Sequence, residues 1–154
     1  MHRNAERGFS LVEVVIALGL LSGVLISISG LFVIGAKQVQ SGKTSSEAVA
    51  IGRTILEEMN RWSLHQSYQV FGYDGTATSY SVDTRTNTTA EAVRWQAAVA
   101  PSLVNGYAMV QLQSLGPGGT PPAMNASRAI RVLVTVNWDE GPRHRTVQVG
   151  TVRM

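Results

Sequence analysis

A single carboxylate, Glu13, stands at the head of an otherwise apolar run. From Val14 to Ala36, 23 residues pass without a charge, and the next charged residue is Lys37. An ionised carboxylate in or beside hydrocarbon is costly and marks a functional position unless it is paired. The same residue has a structural reading. In the first turn of a helix, at a membrane interface, a carboxylate meets the positive end of the helix dipole. The residue alone leaves both readings open.

The remaining reactive side chains do not assemble into a site by their spacing. His2, His65 and His144 are dispersed, and no pair of them has metal-ligand spacing. The chain has no cysteine, which excludes disulfides, thiolate metal sites and cysteine nucleophiles together. Asp74 and Asp83 share a loop-like stretch, but two carboxylates fall short of the roughly six to eight oxygens that calcium takes. Gly116-Pro117-Gly118-Gly119 lacks the following lysine of a phosphate loop and reads as a turn. Ser10, Ser22, Ser27 and Ser29 have no His or Asp partner nearby, and helix serines of this kind bond back to their own backbone. Neither catalysis nor a metal or cofactor is expected.

Arg128, Arg131, Arg143, His144, Arg145 and Arg153 gather towards the tail. A basic sheet face of this kind could contact DNA phosphates. The favoured reading is a solvated face whose charges guard the sheet edge, because the aromatic interleaving of single-strand binders is missing. The formal net charge of +3 over 154 residues is small.

These groups need elements to position them. The length suits one domain plus an appendage. A helix needs about 20 apolar residues to cross a bilayer core, so Val14–Ala36 is long enough to span. Beyond Lys37 the apolar positions Val39, Ala48, Ile51, Ile55, Leu56 and Met59 continue at helical intervals. Lys43, Glu47, Arg53, Glu57, Glu58 and Arg61 fall between them. A helix from about Phe9 to Arg61 would be roughly 80 Å long at 1.5 Å per residue. Met59 and Trp62 read as core rather than as a ligand stripe.

The segment 68–90 reads as loop, with a turn at Gly72-Tyr73-Asp74-Gly75 and a polar run at Thr84–Thr89. Ala92–Val99 and Tyr107–Leu115 are expected strands. Ile130–Trp138 alternates apolar and polar residues with period two. Asp139-Glu140-Gly141-Pro142 is a turn, and Arg143–Val152 returns as a second strand. The fold class expected is α+β, a long N-terminal helix packed on a small antiparallel sheet of about four strands.

The N-terminus does not follow an ordinary secretory signal. The basic residues His2, Arg3 and Arg7 are present, but the apolar run is too long and no small-residue cleavage site follows it cleanly. Instead, Gly8-Phe9-Ser10-Leu11-Val12-Glu13 resembles the processing motif of type IV prepilins and pseudopilins. The resemblance covers about a dozen residues, with a basic leader before the motif and a long helix after it. It implies that residues 1–8 are a leader removed by prepilin peptidase between Gly8 and Phe9, and that Phe9 becomes N-methylated. It also implies that Glu13 meets the amino terminus of a neighbouring subunit during assembly, each charge offsetting one that would be costly alone. Residues 9–36 would then form the transmembrane and filament-core helix, and residues 37–154 the head. Many major pilins carry a proline where this chain has Gly30, so the bend that proline brings is in doubt. Gly19, Gly23, Gly30 and Gly35 are also simply common in membrane helices.

The C-terminal hairpin is similar, over about twenty residues, to that of the minor pilin V group (type IV pilus modification proteins) and of the minor pseudopilin I of type II secretion. The function implied is a minor pilin or pseudopilin, with the 68–90 connection as the variable region. Its partners would be other pilins through the N-terminal helix, prepilin peptidase, the inner-membrane assembly platform and membrane lipid. Its place would be the bacterial cytoplasmic membrane, head outside, and then a filament. The alternative is a signal-anchored envelope protein whose binding domain never polymerises. There Arg3 and Arg7 would act as cytoplasmic orientation charges.

Overall fold

Helix α1 runs from Leu11 to Asn60 as 50 continuous residues, passing through Gly19, Gly23, Gly30 and Gly35 without a break. Its bounds lie within two residues of those expected, for a plain reason: no proline interrupts it. The computed structural model describes residues 10–117 and 120–154. The chain divides into two compact units, one ending at Gln40 and one comprising Ser41–Met154.

In the second unit the chain continues through a short helix α2 (Gln66–Gln69), strand β1 (Ser79–Asp83), helix α3 (Ala90–Val99) and strand β2 (Tyr107–Leu115). A 3-10 turn at Met124–Ala126 then leads to β3 (Ala129–Glu140) and β4 (Arg143–Arg153). The strands form one antiparallel sheet in the order β1-β2-β3-β4. The fold is therefore α+β, a long N-terminal helix packed on a four-stranded antiparallel sheet.

The head core follows from two periodicities meeting. On α1, Ala48, Gly52, Ile55, Leu56 and Met59 are buried, the three-and-four spacing of one helix face. On β3, Ile130, Val132, Val134, Val136 and Trp138 are buried while their neighbours are not, the period-two alternation of a half-buried strand. Gly52 lets the helix approach the sheet closely, since a methyl group there would lie 2.7 Å from Val149 Cγ2.

Two expectations are corrected. Ala92–Val99 is not a strand but most of α3. The segment satisfies both templates: Val93, Trp95, Ala97 and Val99 alternate, while Ala92, Trp95 and Val99 share a helix face. The buried set is Ala92, Trp95 and Val99, and Val93 is 55% exposed. Helix wins because that face reaches the core and because Thr89 precedes it in extended conformation as N-cap. The segment 68–90 is not all loop. It contains β1, which pairs along Ser79↔Gln113 to Asp83↔Met109 and buries Val82. At five residues with two serines, its alternation is too short to announce itself. The sheet still has four strands, but the fourth is Ser79–Asp83.

The C-terminal hairpin is tighter than the expected four-residue turn. β3 extends through Glu140 and β4 begins at Arg143, leaving Gly141 and Pro142 between them. Gly141 has φ +61, and proline is fixed near −65°. Gly followed by Pro therefore suits a two-residue turn of the II′ kind.

Candidate functional site

Every residue from Ser10 to Ile34 is exposed. Leu11 is 81% exposed, Ile26 74% and Phe32 75%, so the described residues supply no cover for these side chains. A helix that is apolar all round needs an apolar surrounding. This one is long and apolar enough to cross a membrane. Three of its serines are satisfied locally. Ser22, Ser27 and Ser29 donate to the carbonyls of Leu18, Gly23 and Leu25 at 2.7, 2.9 and 2.8 Å. Ser22, Ser27 and Ser29 thus have the backbone role expected of them.

Gly8 and Phe9 lie outside the described residues. Glu13 lies in the first turn of α1, which opens with the Val14 N–H donating to the Ser10 carbonyl at 3.2 Å. Among the described residues no side chain or backbone group is paired with the Glu13 carboxylate. The position suits the helix dipole.

The head groups singled out in the sequence are mostly engaged within the chain. The Asp74 carboxylate accepts from the Thr76 backbone N–H (3.0 Å), the Thr76 hydroxyl (2.8 Å) and the Tyr80 hydroxyl (3.0 Å), and these bonds hold its pKa below the usual carboxylate range. Asp83 takes Nε and Nη2 of Arg85 at 3.2 and 2.8 Å and the Arg85 N–H at 2.9 Å. Its pKa is lowered chiefly by the bonds from that side chain, with burial opposing. The two aspartates therefore serve separate turns. Among the described residues no group of three or more His, Cys, Asp or Glu gathers as metal ligands would.

The arginine cluster is likewise divided. Arg145 Nε donates to Glu140 at 2.8 Å. Glu140 also accepts from the Ser41 hydroxyl at 3.1 Å, and its pKa is lowered by the Ser41 and Arg145 bonds in that order. His144 pairs with Asp139, whose other oxygen accepts from Asn105 Nδ2 at 2.9 Å. Arg153 is drawn inward to Ser67 and to the Trp62 carbonyl. Arg128, Arg131 and Arg143 remain exposed.

Met59 is fully buried, and Trp62 stacks on Trp95 with ring centroids 6.0 Å apart and meets Phe71 edge-on at 6.1 Å. Both are core, as their helical spacing implies. Glu58 accepts from Trp95 Nε1 at 2.8 Å and pairs with Arg94, tying α1 to α3.

Two contacts had no sequence signal strong enough to find them. Arg85 lies over the Tyr107 ring, 3.5 Å from its centroid. Thr84, read as loop, is 3% exposed. Its hydroxyl donates to Gln96 Oε1 at 2.5 Å and accepts from the Ala108 N–H at 3.0 Å. The one available clue was Thr84 following Val82 by two positions, the inward side of a strand.

Set against known proteins, the chain matches no protein-family model, no curated protein and no solved structure.

Proposed function

We propose that this chain is the precursor of a type IV pilin-like subunit, a minor pilin or pseudopilin. It would be cut between Gly8 and Phe9, N-methylated at Phe9, and assembled through its N-terminal helix into a filament that it primes, caps or decorates. The observation that carries this reading is α1 itself. A helix apolar on all sides, with a carboxylate in its first turn that no described residue pairs, continues in sequence into a segment that packs on an antiparallel sheet. The bilayer would hold the helix before assembly and neighbouring helices would hold it afterwards. In either surrounding a lone carboxylate is costly until it finds a cation. The processed amino terminus of an adjacent subunit is a cation at the right level of the helix.

The deciding experiment is intact mass and N-terminal sequence of the protein from membranes, with and without prepilin peptidase. A chain beginning at N-methylated Phe9 only when the peptidase is present supports the proposal. A chain still beginning at Met1 in peptidase-competent cells overturns it and leaves a signal-anchored binding domain as the account.

A further inference from the structure

Three contacts within the second unit lay the β3–β4 hairpin along α1 in a fixed direction. Arg153, at the end of β4, reaches the carbonyls of Asn60 and Trp62. Val149, midway along β4, packs against Gly52. Glu140, at the end of β3, accepts from the Ser41 hydroxyl at 3.1 Å. Passing from Arg153 back to Arg143 therefore follows α1 from Asn60 back to Ser41. The lengths agree: Ser41–Asn60 rises about 30 Å as helix, and the eleven residues of β4 span about 36 Å. The turn Gly141-Pro142 and Arg143 accordingly lie beside Ser41, the first residue of their own unit. Ser41 follows Ala36, the last residue of the uncharged run, by five positions. Five residues reach at most about 18 Å in any conformation and rise about 7.5 Å as helix. The layer between hydrocarbon and water is about 5–8 Å deep on each side of a bilayer.

Gly141, Pro142 and Arg143 are exposed. The Glu140 carboxylate beside them is taken up by Ser41 and by Arg145. Arg143 acts on Glu140 only through space, and its guanidinium donates no hydrogen bond to any described residue. Arg143 is thus the open donor at this turn, and a guanidinium matches a phosphate with two parallel bonds. We propose that, while α1 spans a bilayer, the β3–β4 turn rests in the headgroup layer of the leaflet next to the head, with the Arg143 guanidinium on a lipid phosphate. The inference rests on α1 crossing a membrane, which the pilin-like and the signal-anchored readings share, and not on cleavage after Gly8.

The chain has no cysteine, so a single introduced cysteine carries a spin label at a chosen position. The full chain is placed in bilayers of phosphatidylcholine with about one-third phosphatidylglycerol, which gives the surface a negative potential. Collisions with dissolved oxygen and with a water-soluble nickel chelate report the depth of each label. Labels go at Ile26→Cys in the apolar run, Pro142→Cys in the turn and Arg61→Cys near the other end of the hairpin. The label at 26 should read as hydrocarbon and that at 61 as water. The label at 142 should be shielded from nickel without reaching the oxygen-rich interior. His144→Cys, where the native side chain is 91% exposed, repeats the measurement beside the turn in case cysteine at 142 disturbs it. Adding Arg143→Gln to the 142 label should lower the ratio of shielded to water-exposed label about fivefold, the worth of one basic residue at an anionic surface. Nickel access at 142 and 144 equal to that at 61 overturns the proposal. Shielding that Arg143→Gln leaves unchanged also overturns it, by removing the phosphate contact. A label at 26 open to nickel overturns α1 as a membrane span and the inference with it, so the two failures are told apart.

Discussion

Nη2 of Arg153, the last residue of β4, donates to the carbonyl oxygen of Trp62, just beyond the end of α1, while Nη1 donates to the Ser67 hydroxyl at 2.6 Å. The far end of the sheet is thereby fastened to the end of the helix, where backbone carbonyls lack intrahelical donors. Burial lowers the Arg153 pKa, because desolvation disfavours the charged form, but an arginine stays protonated throughout the accessible pH range. Replacing Arg153 with Met keeps the stem and removes the donors. The expected loss is about 1–2 kcal/mol, the worth of hydrogen bonds from a charged group with one end in solvent. Arg153→Lys should recover only part of it. Thermal melts of the three proteins in one detergent check this, and a Met variant as stable as the parent would sink it.

Gly52 faces Val149. Alanine at position 52 gains up to about 1 kcal/mol of helix propensity. The added methyl, though, would sit 2.7 Å from Val149 Cγ2 and 3.6 Å from Val136 Cγ2, and overpacking costs about 1–3 kcal/mol. Gly52→Ala is therefore expected to destabilise the head. Combined with Val149→Ala, it should cost less than the two single changes added together, the mark of residues in direct contact. Denaturant midpoints of the four proteins in the cycle decide the matter, and strict additivity would count against it.

Acid sensitivity follows from the paired carboxylates. Asp83 has a lowered pKa in the folded head, and Asp74 and Glu140 are shifted in the same direction. A carboxyl whose folded pKa lies below its unfolded value contributes stability that is present above the unfolded value, about 3.9 for Asp. That contribution is lost as pH falls through the folded pKa. Asp83→Asn should lower stability at neutral pH and leave a shallower acid limb. The two curves of stability against pH should converge as pH falls through the lowered Asp83 pKa. Parallel curves over the whole acid range would contradict the assignment.

Glu13→Gln tests the proposed assembly role. The amide keeps the shape and removes the charge, so insertion in the membrane and cleavage after Gly8 should be unchanged. Incorporation into filaments should fall severely, by tenfold or more if the lost pairing is worth above about 1.4 kcal/mol. Immunoblots of sheared filament fractions against whole membranes read this directly. Normal incorporation of the Gln variant would remove Glu13 from the mechanism.

How far the chain could be read in advance depended on how long each pattern persisted. Strands β2, β3 and β4 each run nine or more residues and helix α1 opens with a long uncharged run and continues at helical spacing, and all four are legible. Ala92–Val99 fits both periods, and only the core, meeting Ala92, Trp95 and Val99 together, selects the helix. β1 becomes a strand because β2 offers it a ladder from Met109 to Gln113, a partner more than twenty residues away. The same distance hides Thr84, whose hydroxyl joins Gln96 to Ala108. At the site, Glu13 stands out because nothing around it is charged, whereas Arg85 over Tyr107 depends on the fold to bring the two together.

The three serines of the exposed helix have a consequence for any neighbour that meets it. Ser22, Ser27 and Ser29 each turn their hydroxyl onto a carbonyl of the preceding turn. The surface from Val14 to Ile34 is therefore a smooth shaft with no directional group to set an axial position, and a neighbouring helix can slide along it against little more than changes of fit. Glu13 is the one tooth on that shaft. In the proposed filament, Glu13 would be the one charged group on that shaft to index position along the axis.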